Sequence, residues 1–156
     1  MYSEPLYRKE SFPTTDGKAV VICGSRGFLD GSLFADKQRV AEVDAILQEF
    51  GVEPGVVISG GARGADTAGE AWALANDAPI AIFDPTIEGT LSEENIHDTD
   101  GDGIDPGAYL RRNDEMVAHA DALVAIWDGN SRGTHHSIQS AQEELGDENV
   151  HVWVYR

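Results

Sequence analysis

Lysine is nearly absent. Lys9, Lys18 and Lys37 are the only three in 156 residues, and all 11 cations face 28 Asp and Glu, a formal net charge of −17. Such a surface repels phosphate backbones, which argues against nucleic acid as a partner. Lysine depletion beside an acid excess favours a halophilic acidic protein, its self-repulsion screened by salt, over a simple solubility device. Cysteine occurs once, at Cys23. That excludes an intramolecular disulfide and a cysteine-rich zinc site, and fits a reducing, cytoplasmic setting. No apolar run approaches ~20 residues, so neither a membrane-spanning helix nor a membrane partner is expected. Residues 1–17 have no apolar h-region and no periodicity, and they contain Pro5 and Pro13. They read as an N-terminal arm without a secretory signal, packing on the domain or on a neighbour.

What is present is an alternation of strand and helix patterns over 18–156, read as one domain with a real core. Ala19–Cys23, Val56–Ser59, Ile80–Phe83, Ala122–Trp127 and Val150–Tyr155 read as strands. Helical spacing runs from Leu33 to Phe50, Ala65 to Asn76, Tyr109 to His119 and Gly133 to Leu145, with Gly51 as a C-terminal cap. The fold class is therefore α/β: a doubly wound, mainly parallel five-stranded sheet flanked by helices, in the order 3-2-1-4-5. Residues 86–107 break the pattern as an acidic insertion loop, a length unusual inside a compact domain.

Three glycine-rich turns follow strand ends: Gly24-Ser25-Arg26-Gly27, Ser59-Gly60-Gly61-Ala62-Arg63-Gly64-Ala65-Asp66 and Asp128-Gly129-Asn130-Ser131-Arg132-Gly133-Thr134. Glycine lets backbone amides approach a ligand, and a helix N-terminus offers unpaired N–H groups to an anion. In a doubly wound sheet such turns converge beyond the strand carboxyl ends. Arg26, Arg63, Arg111, Arg112 and Arg132 fall in or beside them, placed to hold phosphate bidentately or to pair with Asp30, Asp66 or Asp114. Ser25, Ser59, Ser131 and Thr134 add hydroxyls that serve either a ligand or helix capping. Asp66 and Asp128 suit ribose hydroxyls or turn capping equally. No G-x-x-x-x-G-K-[ST] stretch and no full G-x-G-x-x-G spacing occurs, which disfavours a P-loop NTPase and a dinucleotide dehydrogenase. His135 and His136 are adjacent on a helix and point about 100° apart, so at most one faces a pocket. Trp72, Trp127 and Trp153 read as core, with Trp127 nearest the turns.

Together Val21-Ile22-Cys23-Gly24-Ser25-Arg26-Gly27-Phe28, Ile58-Ser59-Gly60-Gly61-Ala62-Arg63-Gly64-Ala65-Asp66, Arg112-Asn113-x-x-Met116 and Asp128-Gly129-x-Ser131-x-Gly133-Thr134 resemble the YspA-like branch of the SLOG superfamily. The resemblance covers about residues 18–155. It implies a Rossmann-like fold, relationship to the LOG phosphoribohydrolases and to the DNA-processing protein DprA, and a nucleotide-derived, phosphate-bearing ligand. The implied binding residues are Gly24, Ser25, Arg26, Ser59, Gly60, Gly61, Arg63, Gly64, Asp66, Arg112, Asn113, Asp128, Ser131, Gly133 and Thr134. The expected role is binding or sensing such a small molecule. The alternative is a LOG-like nucleoside 5′-monophosphate N-glycosidase, and a third, less favoured, is DprA-like single-stranded DNA binding. The LOG motif P-G-G-x-G-T-x-x-E has its glutamate where Ser137 stands here. Serine cannot stabilise the oxocarbenium charge of glycosidic cleavage, which shifts the reading from cleaving a nucleotide to holding one. The resemblance also implies a homodimer or higher oligomer.

Asp98-Thr99-Asp100-Gly101-Asp102-Gly103-Ile104-Asp105 matches the first half of a calcium loop, D-x-D-x-D-G. Tyr109 stands where an EF-hand has its bidentate glutamate. Asp98, Asp100 and Asp102 are thus candidate Ca²⁺ or Mg²⁺ ligands or a salt-solvated acidic loop, and no cofactor is required by the rest of the chain.

Overall fold

The computed structural model describes residues 17–83 and 106–155. The N-terminal arm and the Asp98–Asp105 stretch lie outside the described residues. Five strands form one sheet in the order β3-β2-β1-β4-β5, and every neighbouring pair is parallel. They are β1 (Lys18–Gly24), β2 (Pro54–Ser59), β3 (Ile80–Ile82), β4 (Ala122–Trp127) and β5 (Val150–Val154). Helices α1 (Lys37–Phe50), α2 (Ala65–Ala75), α3 (Pro106–Ala118) and α4 (Arg132–Leu145) make the crossovers. This is the doubly wound, Rossmann-like arrangement expected from the alternation of patterns.

Both faces of the sheet are buried, which is why its strands read as continuous apolar runs rather than alternating ones. Val20, Ile22, Val57, Val124 and Ile126 point to one face, against Val43, Ile46 and Leu47 of α1 and Ala68, Trp72 and Ala73 of α2. Val21, Cys23, Val56, Ile58, Leu123 and Ala125 point to the other, against Met116 and Val117 of α3 and Ile138 and Ala141 of α4. Burial holds the Cys23 thiol well above its usual range, so it remains a protonated core group. The Trp72 indole N–H donates to Asp44 Oδ1 at 3.0 Å and ties α2 to α1.

Three local expectations differ from the structure. Helix α1 begins at Lys37, not Leu33, because the Asp36 carboxylate accepts the Arg39 N–H at 2.9 Å and caps it there. Leu33 and Phe34 consequently lie in the preceding loop and are exposed. Helix α3 begins at Pro106, a residue suited to a first helical turn, and so takes in Pro106 and Gly107 from the stretch read as loop. Trp153 is exposed rather than core: β5 is an edge strand, and the indole meets Phe50 edge-to-face at 6.3 Å.

At the carboxyl edge the turns touch backbone to backbone. Gly24 has φ +154°, and a Cβ there would collide with the Ile126 carbonyl at the end of β4. Gly64 has φ +83°, and a Cβ there would collide with the Ser25 and Arg26 carbonyls. Both an unfavourable φ and a rigid backbone obstacle oppose any side chain. Gly24→Ala is therefore expected to destabilise the fold by at least about 3 kcal/mol in urea denaturation. Gly129→Ala, whose new methyl meets nothing within 4 Å, should cost only about 1 kcal/mol. Equal losses would contradict the packing described.

Candidate functional site at the strand carboxyl ends

Ser25 joins the three turns. It is 1% exposed. Its N–H donates to Ile126 O at 2.9 Å, and its carbonyl accepts the Ala65 N–H at 3.2 Å at the start of α2. Its hydroxyl accepts the Asp128 N–H at 2.9 Å and lies 3.0 Å from Ser131 Oγ. Ser59 is likewise turned inward. Its hydroxyl donates to Glu70 on α2 and accepts the Gly61 N–H at 3.1 Å. Both hydroxyls are thus engaged inside the protein.

Between the turns lies a cleft of about 410 Å³. Gly24, Arg26, Asp66, Arg112, Asn113, Asp128, Ser131, Gly133 and Thr134 line it, together with Cys23, Gly27, Ala62, Met116 and Ser137. Nine of the fifteen residues singled out from sequence therefore meet at one place. Ser25, Ser59, Gly60, Gly61, Arg63 and Gly64 are not among the lining residues; Ser25, Ser59 and Gly64 are buried, and Gly61 and Arg63 are exposed. Ser137, at the position of the LOG glutamate, faces the cleft.

The chain's own carboxylates already fill two of the three amide clusters. Asp66 is buried and accepts the Ala62 N–H at 3.2 Å. Burial raises its carboxyl to about 6; the Arg112 guanidinium and the nearby Ala62 and Gly60 amides oppose the rise without cancelling it. Asp128 is exposed and accepts the Asn130 and Ser131 amides at 2.8 and 2.9 Å, which pull its carboxyl down to about 2. Of the two roles open to each from sequence, turn capping is what their bonds display. The third cluster differs. Ser131 caps α4 with no side-chain bond to the helix amides, and the N–H groups of Arg132, Gly133 and Thr134 find no acceptor among the described residues. These are the free donors of a helix N-terminus, with the positive end of its dipole.

The arginines divide similarly. Arg112 is buried; its Nη1 donates to the Gly60 carbonyl and to Phe83 O at 3.1 Å, and its Nε to Asn113 Oδ1 at 2.8 Å. It holds the β2 and β3 ends to α3 and leaves a charge beneath the cleft. Arg26, Arg63 and Arg132 are exposed and form no ion pair among the described residues. The carboxylates available to neutralise them pair elsewhere: Asp30 with Arg39 at 2.9 Å, and Asp114 with His136 at 2.8 Å. His135 stacks on Trp127 instead. Glu70 was not legible as part of this region, although Asp66 and Glu70, four residues apart, share a face of α2. Among the described residues no cluster of three or more His, Cys, Asp or Glu could hold a metal ion. The Asp98, Asp100, Asp102 candidates lie outside them.

No protein-family model matches the chain. The Gene 61 protein of Mycobacterium phage D29 is 33% identical to it over 129 residues, covering 81% of this chain and 90% of that protein. Among solved structures, DNA processing protein A (DprA) of Streptococcus pneumoniae aligns with a TM-score of 0.57 at 23% identity, over 87% of this chain and 50% of that one. DprA of Helicobacter pylori, whose structure concerns its single-stranded DNA binding mode, aligns with a TM-score of 0.55 at 21% identity, over 90% of this chain and 66% of that one. The chain thus spans half to two thirds of those proteins, and the likeness establishes the Rossmann-like α/β fold. It also overturns the expectation that nucleic acid is an improbable partner, since a protein with this fold is described by its single-stranded DNA binding. The physical reason is that net charge averages the whole surface, whereas a phosphate responds to local potential. Here Arg26, exposed and without an ion pair among the described residues, lines the cleft. No helix among the described residues is long and apolar enough to cross a membrane.

The Asp66 carboxyl gives a pH signature. Its folded pKa, about 6, lies above the ordinary aspartate value of 3.8. The native state therefore binds the proton more tightly, and the stability it contributes is full below pH 4 and lost as pH rises through 6. The stability of the wild type relative to Asp66→Asn should fall by up to about 3 kcal/mol from pH 4 to pH 7 in urea denaturation. A difference independent of pH would show that the carboxyl is not buried as described.

Proposed function

The chain belongs to the family of the Gene 61 protein of Mycobacterium phage D29, and on that premise we propose that its cleft binds single-stranded nucleic acid by a nucleotide phosphate. The observation that carries the reading is the open amide cluster at the start of α4. The first-turn N–H groups of α4 adjoin a cleft that Arg26 also lines, while the Ala62 amide is occupied by Asp66 and the Asn130 and Ser131 amides by Asp128. A helix N-terminus beside a guanidinium is a ready anion site. Arg26 lines the cleft, and Arg63 and Arg132, each exposed and without an ion pair among the described residues, belong to the turns that border it; cations spread over three turns favour a strand over a lone small molecule. The fold shared with DprA supports the same reading, and the four sequence motifs support a YspA-like place within it.

A free nucleotide would use the same amides, so binding or sensing of such a molecule is the finer form of this proposal. Cleavage is less well supported. Asp66 and Asp128 are the only carboxylates lining the cleft among the described residues, and both are bonded to backbone amides. Neither is placed to stabilise an oxocarbenium ion.

Fluorescence anisotropy with a labelled thymidylate oligomer tests the proposal. The affinity should fall with salt with a log–log slope near −2, as about three phosphate contacts on a single strand would give. Arg26→Ala with Arg132→Ala should weaken binding by roughly tenfold or more, with circular dichroism and melting unchanged. Unchanged affinity in the double variant, or no binding at low salt, would refute the reading.

A further inference from the structure

Beside the amino end of α4 lies an aromatic pair that the cleft does not account for. The His135 imidazole stacks on the Trp127 indole with ring centroids 5.8 Å apart and an interplanar angle of 24°. Trp127 is the last residue of β4, and its Nε1–H donates to Ser131 O at 3.1 Å, which fixes the plane of the indole. The same carbonyl accepts the His135 backbone N–H at 3.1 Å, so the indole and the backbone of His135 share one acceptor. His135 remains exposed although the indole covers one of its sides. Its chain neighbours Gly133 and Thr134, and Asp128 next to Trp127, all line the cleft.

We propose that His135, held on Trp127, is a stacking platform for a nucleobase whose phosphate sits at the α4 amino end. The proposal rests on the phosphate reading above and adds a base-contacting residue to it. Three features carry it. A planar ring exposed at the rim of a phosphate site presents a π face to whatever is attached to that phosphate. A ring already stacked on an indole that is itself fixed by the Ser131 carbonyl loses little conformational freedom on binding. Stacking on His, Trp, Tyr or Phe tolerates every base, since each has a π face, and so needs none of the donor–acceptor pattern that base-specific readout requires. His136, by contrast, is paired with Asp114 at 2.8 Å. Only one of the adjacent histidines is available, in keeping with their separation around the helix.

The test compares three probes on the full chain: a deoxyadenylate oligomer, an abasic oligomer of the same length and charge, and deoxyadenosine 5′-monophosphate. His135→Ala should weaken the deoxyadenylate oligomer by about tenfold and leave the abasic oligomer unchanged, while His135→Phe keeps most of the affinity. Circular dichroism confirms that each variant is folded. A His135 dependence with the monophosphate alone assigns the platform to a free nucleotide, and one with the oligomer assigns it to a strand; either supports it. Equal losses on the base-bearing and abasic oligomers, or no loss on either, overturn the platform while the phosphate reading stands. No binding of any probe overturns both.

Discussion

The carboxyl edge of the sheet depends on backbone meeting backbone. Gly24 lies against the last carbonyls of β4, and Gly64 lies against the carbonyls of Ser25 and Arg26. No side chain fits between them. Because three turns from distant parts of the chain close on each other in this way, Ser25 can bond β4, the start of α2 and the Asp128 turn at once. A cleft whose walls are fixed by glycine contacts and one buried serine is preorganised, and its donors point at a ligand without a folding cost at the moment of binding.

The electrostatics of the edge follow from that closure. Turns drawn so close gather more amide N–H groups than a small cleft could leave unsatisfied. Asp66 and Asp128 supply internal acceptors for two clusters, and Glu70 receives the Ser59 hydroxyl behind them. Arg112 offsets part of the buried charge from below. The amino end of α4 keeps amides with no acceptor among the described residues, and Arg26 lines the same cleft with no ion pair among them. The His135–Trp127 pair stands beside that helix end.

The fold was largely legible in the sequence. A strand buried on both faces has no alternation to misread, so short apolar runs ending in glycine marked β1, β2 and β4 and the turns that follow them. Sheet order followed from the handedness of parallel crossovers. Helix ends were less legible. Leu33 and Phe34 fit helical spacing, yet the Asp36 cap decides the start of α1, and capping strength is not expressed by periodicity. The site was legible as a place but not as a division of labour. Glycine and arginine counts show where amides and cations gather. They do not show that the chain's own Asp66 and Asp128 occupy two of three anion positions, because that depends on side-chain direction in the folded turn. Net charge misled for a related reason: it carries no information on position, and Arg26, Arg63 and Arg132 matter through theirs.

The central claim is that α4, not the Gly60–Gly64 turn, offers the open anion site. Amide chemical shifts of ¹⁵N-labelled protein titrated with a short thymidylate oligomer test it most directly. The largest shifts are predicted at the N–H groups of Arg132, Gly133 and Thr134, with those of Gly60 and Ala62 nearly still under the Asp66 carboxylate. Shifts centred on Gly60 to Gly64, with the α4 amides unmoved, would contradict it.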